Sequence, residues 1–153
     1  MSFRSNDAQQ VTFSDSLFGL TEREKKALER SWAKVFADEI FPAIDVGRFS
    51  VLYSEKESRP NTPVNVIIGA LVLKELFALS DDAMVETLMF DYRFQYALHT
   101  TSCQEQPLSD KSLSRFRGRC IDYENTHNVN LLHDCVKDLA EITAKMRRKH
   151  CNC

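Results

Sequence analysis

Apolar residues recur along most of this chain at intervals of three and four, the spacing of helices that pack through one face. The first such run opens at Thr21-Glu22-Arg23-Glu24, a capping box in which the Thr and the Glu three residues later satisfy each other's backbone donors. Ala27, Leu28, Trp32, Val35, Phe36 and Ile40 then form one stripe, with Glu29, Arg30, Lys34 and Asp38 turned to water. Pro42 ends this helix or bends its last turn. A short second helix is expected at about 46–53, followed by a polar loop, Ser54 to Asn61.

Thr62-Pro63 reads as an N-cap followed by Pro at the first helical position. The helix it opens (Val64, Val66, Ile67, Ile68, Leu71, Val72, Leu73, Leu76, Phe77) is apolar almost all round and belongs at the centre of a bundle. Gly69 within it allows close helix packing. Ser80-Asp81-Asp82 caps the next helix, with acids where the dipole favours them and Met84, Val85, Leu88 and Met89 facing inward. Phe90 to Tyr96 forms a short helical turn, and Thr100 to Leu108 is a polar loop. Ser109 and Asp110 compete to cap a helix through Asn125, and Asn128 or Asn130 precedes a last helix ending near Lys149.

No stretch alternates with the two-residue period of a half-buried sheet. With only 4 Gly and 4 Pro in 153 residues, the composition also argues against a turn-rich β-sandwich or barrel. The fold class is therefore all-α: a single compact bundle of about six helices with a helix-turn-helix-like C-terminal part. Residues 1–15 are read as a flexible arm and 16–153 as the helical domain. A composition of 43% hydrophobic and 27% charged residues is that of a soluble globular protein. The most apolar helix carries Asn65, Lys74 and Glu75, which argues against a membrane span. Residues 1–15 lack an apolar core, so no signal peptide is expected. Five cysteines without CxxC pairs then read as reduced thiols in the cytoplasm.

The net charge of −2 excludes a globally basic nucleic-acid binder, but the charge is uneven. Residues 61–108 carry 2 basic and 6 acidic side chains, whereas residues 109–153 carry 9 and 6. At about 100° per residue, Leu113, Phe116, Cys120 and Ile121 share one face of the Ser109 helix. Lys111, Arg115 and Arg119 fall opposite, with Gly118 between them. Long cations with small hydroxyls on an exposed helix suit contact with phosphates and guanine edges. Lys111, Ser112, Ser114, Arg115 and Arg119 are the candidate DNA-binding residues. The same ridge is also what a merely solvated face looks like. Arg117, beside the apolar stripe, is expected to pair with a carboxylate such as Asp91. Lys145 to Lys149 is a second basic cluster, placed to complement a helix C-terminus.

The run from about Arg48 to Cys120 resembles the amino-terminal, InsH-like domain of bacterial insertion-sequence DDE transposases. Three segments carry the resemblance: the Pro63 helix with Val66 to Lys74; Leu79-Ser80-Asp81-Asp82 leading to Phe90-Asp91-Tyr92-Arg93-Phe94-Gln95-Tyr96-Ala97-Leu98; and Leu108-Ser109-Asp110-Lys111-Ser112-Leu113-Ser114-Arg115-Phe116-Arg117. The resemblance implies a helical module that binds double-stranded DNA at transposon ends or assembles the transposition complex. It also implies that catalysis belongs to a following RNase H-like domain with three carboxylates on metal ions. No strands of such a domain are read here, so the chain is expected not to be an enzyme by itself. An excised piece and a truncated gene product both fit. The rival reading is a protein–protein module that forms a homodimer or regulates, without binding DNA.

Other chemistry finds little support. Asp38-Glu39 and Asp81-Asp82 point about 100° apart and make no acid/base pair. His150-Cys151-Asn152-Cys153 supplies only half a tetrahedral site, and the four glycines are isolated, so neither a metal nor a cofactor is expected.

Overall fold

The computed structural model describes residues 15–53 and 62–151, the side chains of Asp110 and of Met146 to Cys151 excepted. The expected arm up to Ser14 and the Ser54–Asn61 loop lie outside the described residues, and of the Lys145–Lys149 cluster only the Lys145 side chain is described. Those described are helical, without strands: α1 (Glu22–Glu29), α2 (Trp32–Val35), α3 (Val64–Leu76), α4 (Asp81–Phe90), α5 (Tyr92–Ala97), α6 (Asp110–His127) and α7 (Leu131–Cys151), joined by short 3-10 and π turns. The all-α class read from the periodicity holds.

The single N-terminal helix does not. Its capping box forms as expected, with Thr21 N donating to Glu24 Oε2 at 2.7 Å. The helix then breaks at Ser31, whose hydroxyl donates to Leu28 O at 2.6 Å and accepts from Ala33 N at 3.2 Å. These side-chain bonds replace helical ones and restart the chain as α2. The break leaves Val35 exposed, off the expected stripe. Beyond it α2 widens into a π turn, Phe36–Ile40, and a 3-10 turn, Phe41–Ala43. The ring of Pro42 forbids regular α-helix over its preceding turn, so the distortion sits where the sequence placed it.

α3 is the centre: every residue from Val64 to Ala70 is buried, and so is Leu73. Its start differs from the expected pattern by one residue, because Pro63 is the cap and Thr62 Oγ1 donates to Pro107 O at 2.8 Å instead. Leu76 and Phe77 emerge from the core at the other end. Even so, Phe77 closes an aromatic triangle with Trp32 and Phe94, ring centroids 4.8–5.2 Å apart. α4 buries Met84, Val85 and Leu88 but not Met89, which is 51% exposed. The buried amide of Gln95 donates to Leu88 O and Met89 O, tying α5 back onto α4.

α7 docks through Leu131, Cys135 and Leu139, one side of a helix at i, i+4 and i+8. Arg48, in the 3-10 turn Gly47–Leu52, reaches across to Asp138 of α7. Asn130 caps α7, its Oδ1 accepting from His133 N at 2.8 Å, while Asn128 ends α6 in the left-handed region at φ 55°. Ahead of α1, Asp15 is buried, capping the turn Ser16–Gly19 and accepting from Thr101 Oγ1.

Candidate nucleic-acid interface

α6 is the element on which the expected DNA contacts fall. Its start is built from hydroxyls: Ser109 N donates to Ser112 Oγ at 3.0 Å, and the two hydroxyls lie 2.8 Å apart. Ser109, not Asp110, is the cap. Leu113, Phe116 and Cys120 are buried, and Phe116 meets Phe49 with centroids 5.5 Å apart. Ile121 was expected on the same face but is 55% exposed. It follows Cys120 by one residue, and that step of about 100° carries it off a stripe only three side chains wide.

The five candidate residues occupy different environments. Lys111 and Arg115 are exposed, and Ser114 beside them donates its hydroxyl back to Lys111 O at 3.2 Å. Gly118 has open space where a side chain would begin. Ser112 is half-buried and engaged in the cap, 3.5 Å from the Thr62 hydroxyl. Arg119 is half-buried, its guanidinium over the Tyr53 ring at 5.0 Å. Asp122 is exposed one turn beyond Gly118, so an acid follows the cationic ridge.

Among the described residues the tight turn beside α6 lies on its far side, so the helix-turn-helix-like expectation is not confirmed for α6. The irregular segment 98–109 precedes α6, and the tight turn Asn128–Asn130 lies after it. A recognition helix follows such a turn instead of preceding it.

Arg117 does form an ion pair, but with Asp81 and not with Asp91. Its Nη1 donates to Asp81 Oδ1 at 3.1 Å and its Nη2 to Oδ2. Asp91 is already engaged: it caps α5 by accepting from Arg93 N at 2.9 Å and pairs with the Arg93 guanidinium. These partners hold both carboxyls below the usual Asp range, Arg117 acting on Asp81 and Arg93 on Asp91. Three residues not singled out as neighbours of this helix meet α6 or its partner Asp81: Thr62, Tyr53 and Lys74, whose Nζ lies 3.6 Å from Asp81 Oδ1. Local sequence does not announce these contacts, because each residue meets α6 or its partner from another segment, and Thr62 reads locally only as a helix cap.

Grooves among the described residues open away from the cationic ridge, and two of them stand out. One of about 720 Å³ lies between α1 and the α4–α5 junction, lined by Leu28, Glu86, Phe90 and Tyr92 among others. The other, of about 1110 Å³, lies between α4 and residues 103–109. Among the described residues no three His, Cys, Asp or Glu side chains gather as metal ligands. No described helix is long and apolar enough to cross a membrane.

Residues 23–119 match the family model described as Transposase domain (DUF772). The match spans more than half of the chain, from α1 through the cationic half of α6, and the chain belongs to this family. It is thereby associated with transposition. No curated protein and no solved structure matches the chain.

Proposed function

We propose that this chain is the DNA-binding and assembly module of an insertion-sequence transposase, without catalytic activity of its own. It contacts duplex DNA at the transposon ends through the first half of α6. One observation carries the reading: a helix docked through Leu113, Phe116 and Cys120 turns Lys111 and Arg115 outward, with no bulk at Gly118 to keep a phosphodiester away. The acidic content of residues 61–108 confines DNA to that face.

Fluorescence-anisotropy titration tests it, with duplexes from the ends of the encoding element against scrambled duplexes at two salt concentrations. Element ends bind more tightly, salt weakens binding, and the Lys111, Arg115, Arg119 triple alanine variant abolishes it. Equal, weak binding to both duplexes, unchanged in the variant, overturns the assignment.

A second reading, a helical protein–protein module, has its own support. Met89, Phe90 and Tyr92 stand exposed together at the α4–α5 junction, Phe90 at 77%. Concentration-dependent dimerisation without DNA retention favours that account.

A further inference from the structure

Asp81 is where three helices meet. It is the first residue of α4, Arg117 lies in the middle of α6, and Lys74 lies in the last turn of α3. Lys74 also reaches Glu75 at 3.3 Å, so two cations and two anions balance within one network. The Arg117 contact uses both terminal guanidinium nitrogens on both carboxylate oxygens. A fork of that kind fixes orientation as well as distance.

Orientation matters on this helix. Leu113, Phe116 and Cys120 hold α6 to the core, Phe116 against Phe49 and Arg119 over Tyr53 tie it to the segment before α3, and the fork of Arg117 on Asp81 sets its roll against α4. Arg117 stands on the flank of that stripe, two residues and so about 200° round from Arg115. Pinning Arg117 therefore fixes the direction in which Lys111 and Arg115 point.

We propose that Asp81, acting through Arg117 with Lys74 as the third member, is a positioning residue. It sets the roll of α6 and so aims Lys111 and Arg115 at DNA without touching DNA itself. The inference rests on the DNA-binding reading above. Simple electrostatics makes the opposite prediction: removing an acid near a phosphate-binding face strengthens binding. The cap of α4 does not depend on the Asp81 side chain, since Ser80 Oγ accepts from Ala83 N at 3.1 Å.

The test compares the full chain with D81N, R117Q, the double variant and R117K. Each is titrated with element-end and scrambled duplexes at a temperature where its ellipticity equals that of the wild type. D81N and R117Q each lower the ratio of element-end to scrambled affinity by about tenfold, and the double variant lowers it no further. Affinity for scrambled duplex stays within about twofold, because the phosphate-contacting cations remain. R117K, which keeps the charge but not the fork, falls between. A loss of folding would lower both affinities together and leave the ratio alone. Tighter binding by D81N with weaker binding by R117Q overturns the proposal and makes Arg117 a direct DNA contact. An unchanged ratio in both also overturns it. Failure of the wild-type chain to bind DNA overturns it together with the functional reading.

Discussion

The guanidinium carbon of Arg119 lies 5.0 Å from the centroid of the Tyr53 ring, so the third cation of the α6 ridge rests on an aromatic face. Tyr53 follows the turn that carries Phe49, and Phe49 packs on Phe116 of the same helix. One flank of α6 is thus tied to the 3-10 turn Gly47–Leu52, leaving Lys111 and Arg115 as its exposed cations.

This division separates the three residues experimentally. Lys111→Ala and Arg115→Ala each weaken DNA binding and reduce the slope of log affinity against log salt by about 0.9, with little change in melting temperature. Arg119→Ala changes the slope less and lowers stability by about 0.5–1 kcal/mol, the range of a cation over a ring near the surface. Titrations over a salt series with parallel thermal melts measure both. An Arg119→Ala slope equal to that of Arg115→Ala would mean the cation leaves the ring for a phosphate.

Gly69 is needed where α3 passes closest to its neighbours. A Cβ there would stand 2.5 Å from Leu98 Cδ2 and 3.3 Å from Phe41 Cδ2, and both side chains are buried. Gly→Ala inside a helix ordinarily gains about 0.5–1 kcal/mol. Overpacking a closed core costs about 1–3 kcal/mol, which is the larger effect here. Gly69→Ala therefore lowers the urea midpoint. A raised midpoint would mean that Leu98 turns aside at little cost.

His99 links α5 to the π turn after α2. Its Nε2 lies 3.0 Å from Ala37 O, an acceptor, so the neutral ring carries its proton on Nε2. Burial lowers its pKa from the ordinary 6.5, outweighing the Ala37 bond and the charge of Asp38, which act the other way. The folded state thus binds this proton less readily than the unfolded state. The contribution is full above 6.5 and is lost as pH falls below it. His99→Asn tests this with the backbone preserved, because residue 99 has φ 55° and Asn tolerates that region. The variant's stability changes less than the wild type's between about pH 7 and 5. An equal decline in both would assign the acid sensitivity elsewhere.

Helix existence was legible in α6 from the helical spacing of Leu113, Phe116 and Cys120, and in α3 from an apolar run buried on all sides and too long for a strand. Helix ends were less so. α3 and α5 terminate at Ala78 and His99 in the left-handed region, with no glycine to mark either place. The break at Ser31 depends on one hydroxyl bonding in both directions, which a serine on an amphipathic helix does not announce. Pairing across segments was the least legible. Arg117 pairs with Asp81, the first residue of α4, and not with Asp91, the partner the sequence suggested, which Arg93 engages two residues along.

Cys120 belongs to the docking stripe of α6, and its chemistry follows from that position. It is buried, and burial pushes its thiol up to about 11 against the opposing charge of neighbouring Arg119. Burial raises Cys135 in the same direction, as it does the half-buried Cys103. A thiol reacts as its thiolate, so iodoacetamide at about pH 8 labels Cys103 before Cys120 or Cys135 in the folded chain. Peptide mapping after timed labelling reads that order. The same shift makes Cys120 a stabilising group whose effect depends on pH. Its folded pKa lies above the unfolded value of 9.0, so the contribution is full below 9.0 and is lost as pH rises towards about 11. Cys120→Ala opens a small cavity and lowers stability at neutral pH, but it also removes this titration. The stability difference between wild type and variant therefore narrows from pH 8 to about 10.5 in urea melts. A constant difference across that range, or labelling of Cys120 as fast as Cys103, would mean that α6 lifts from the core often enough to wet its docking face.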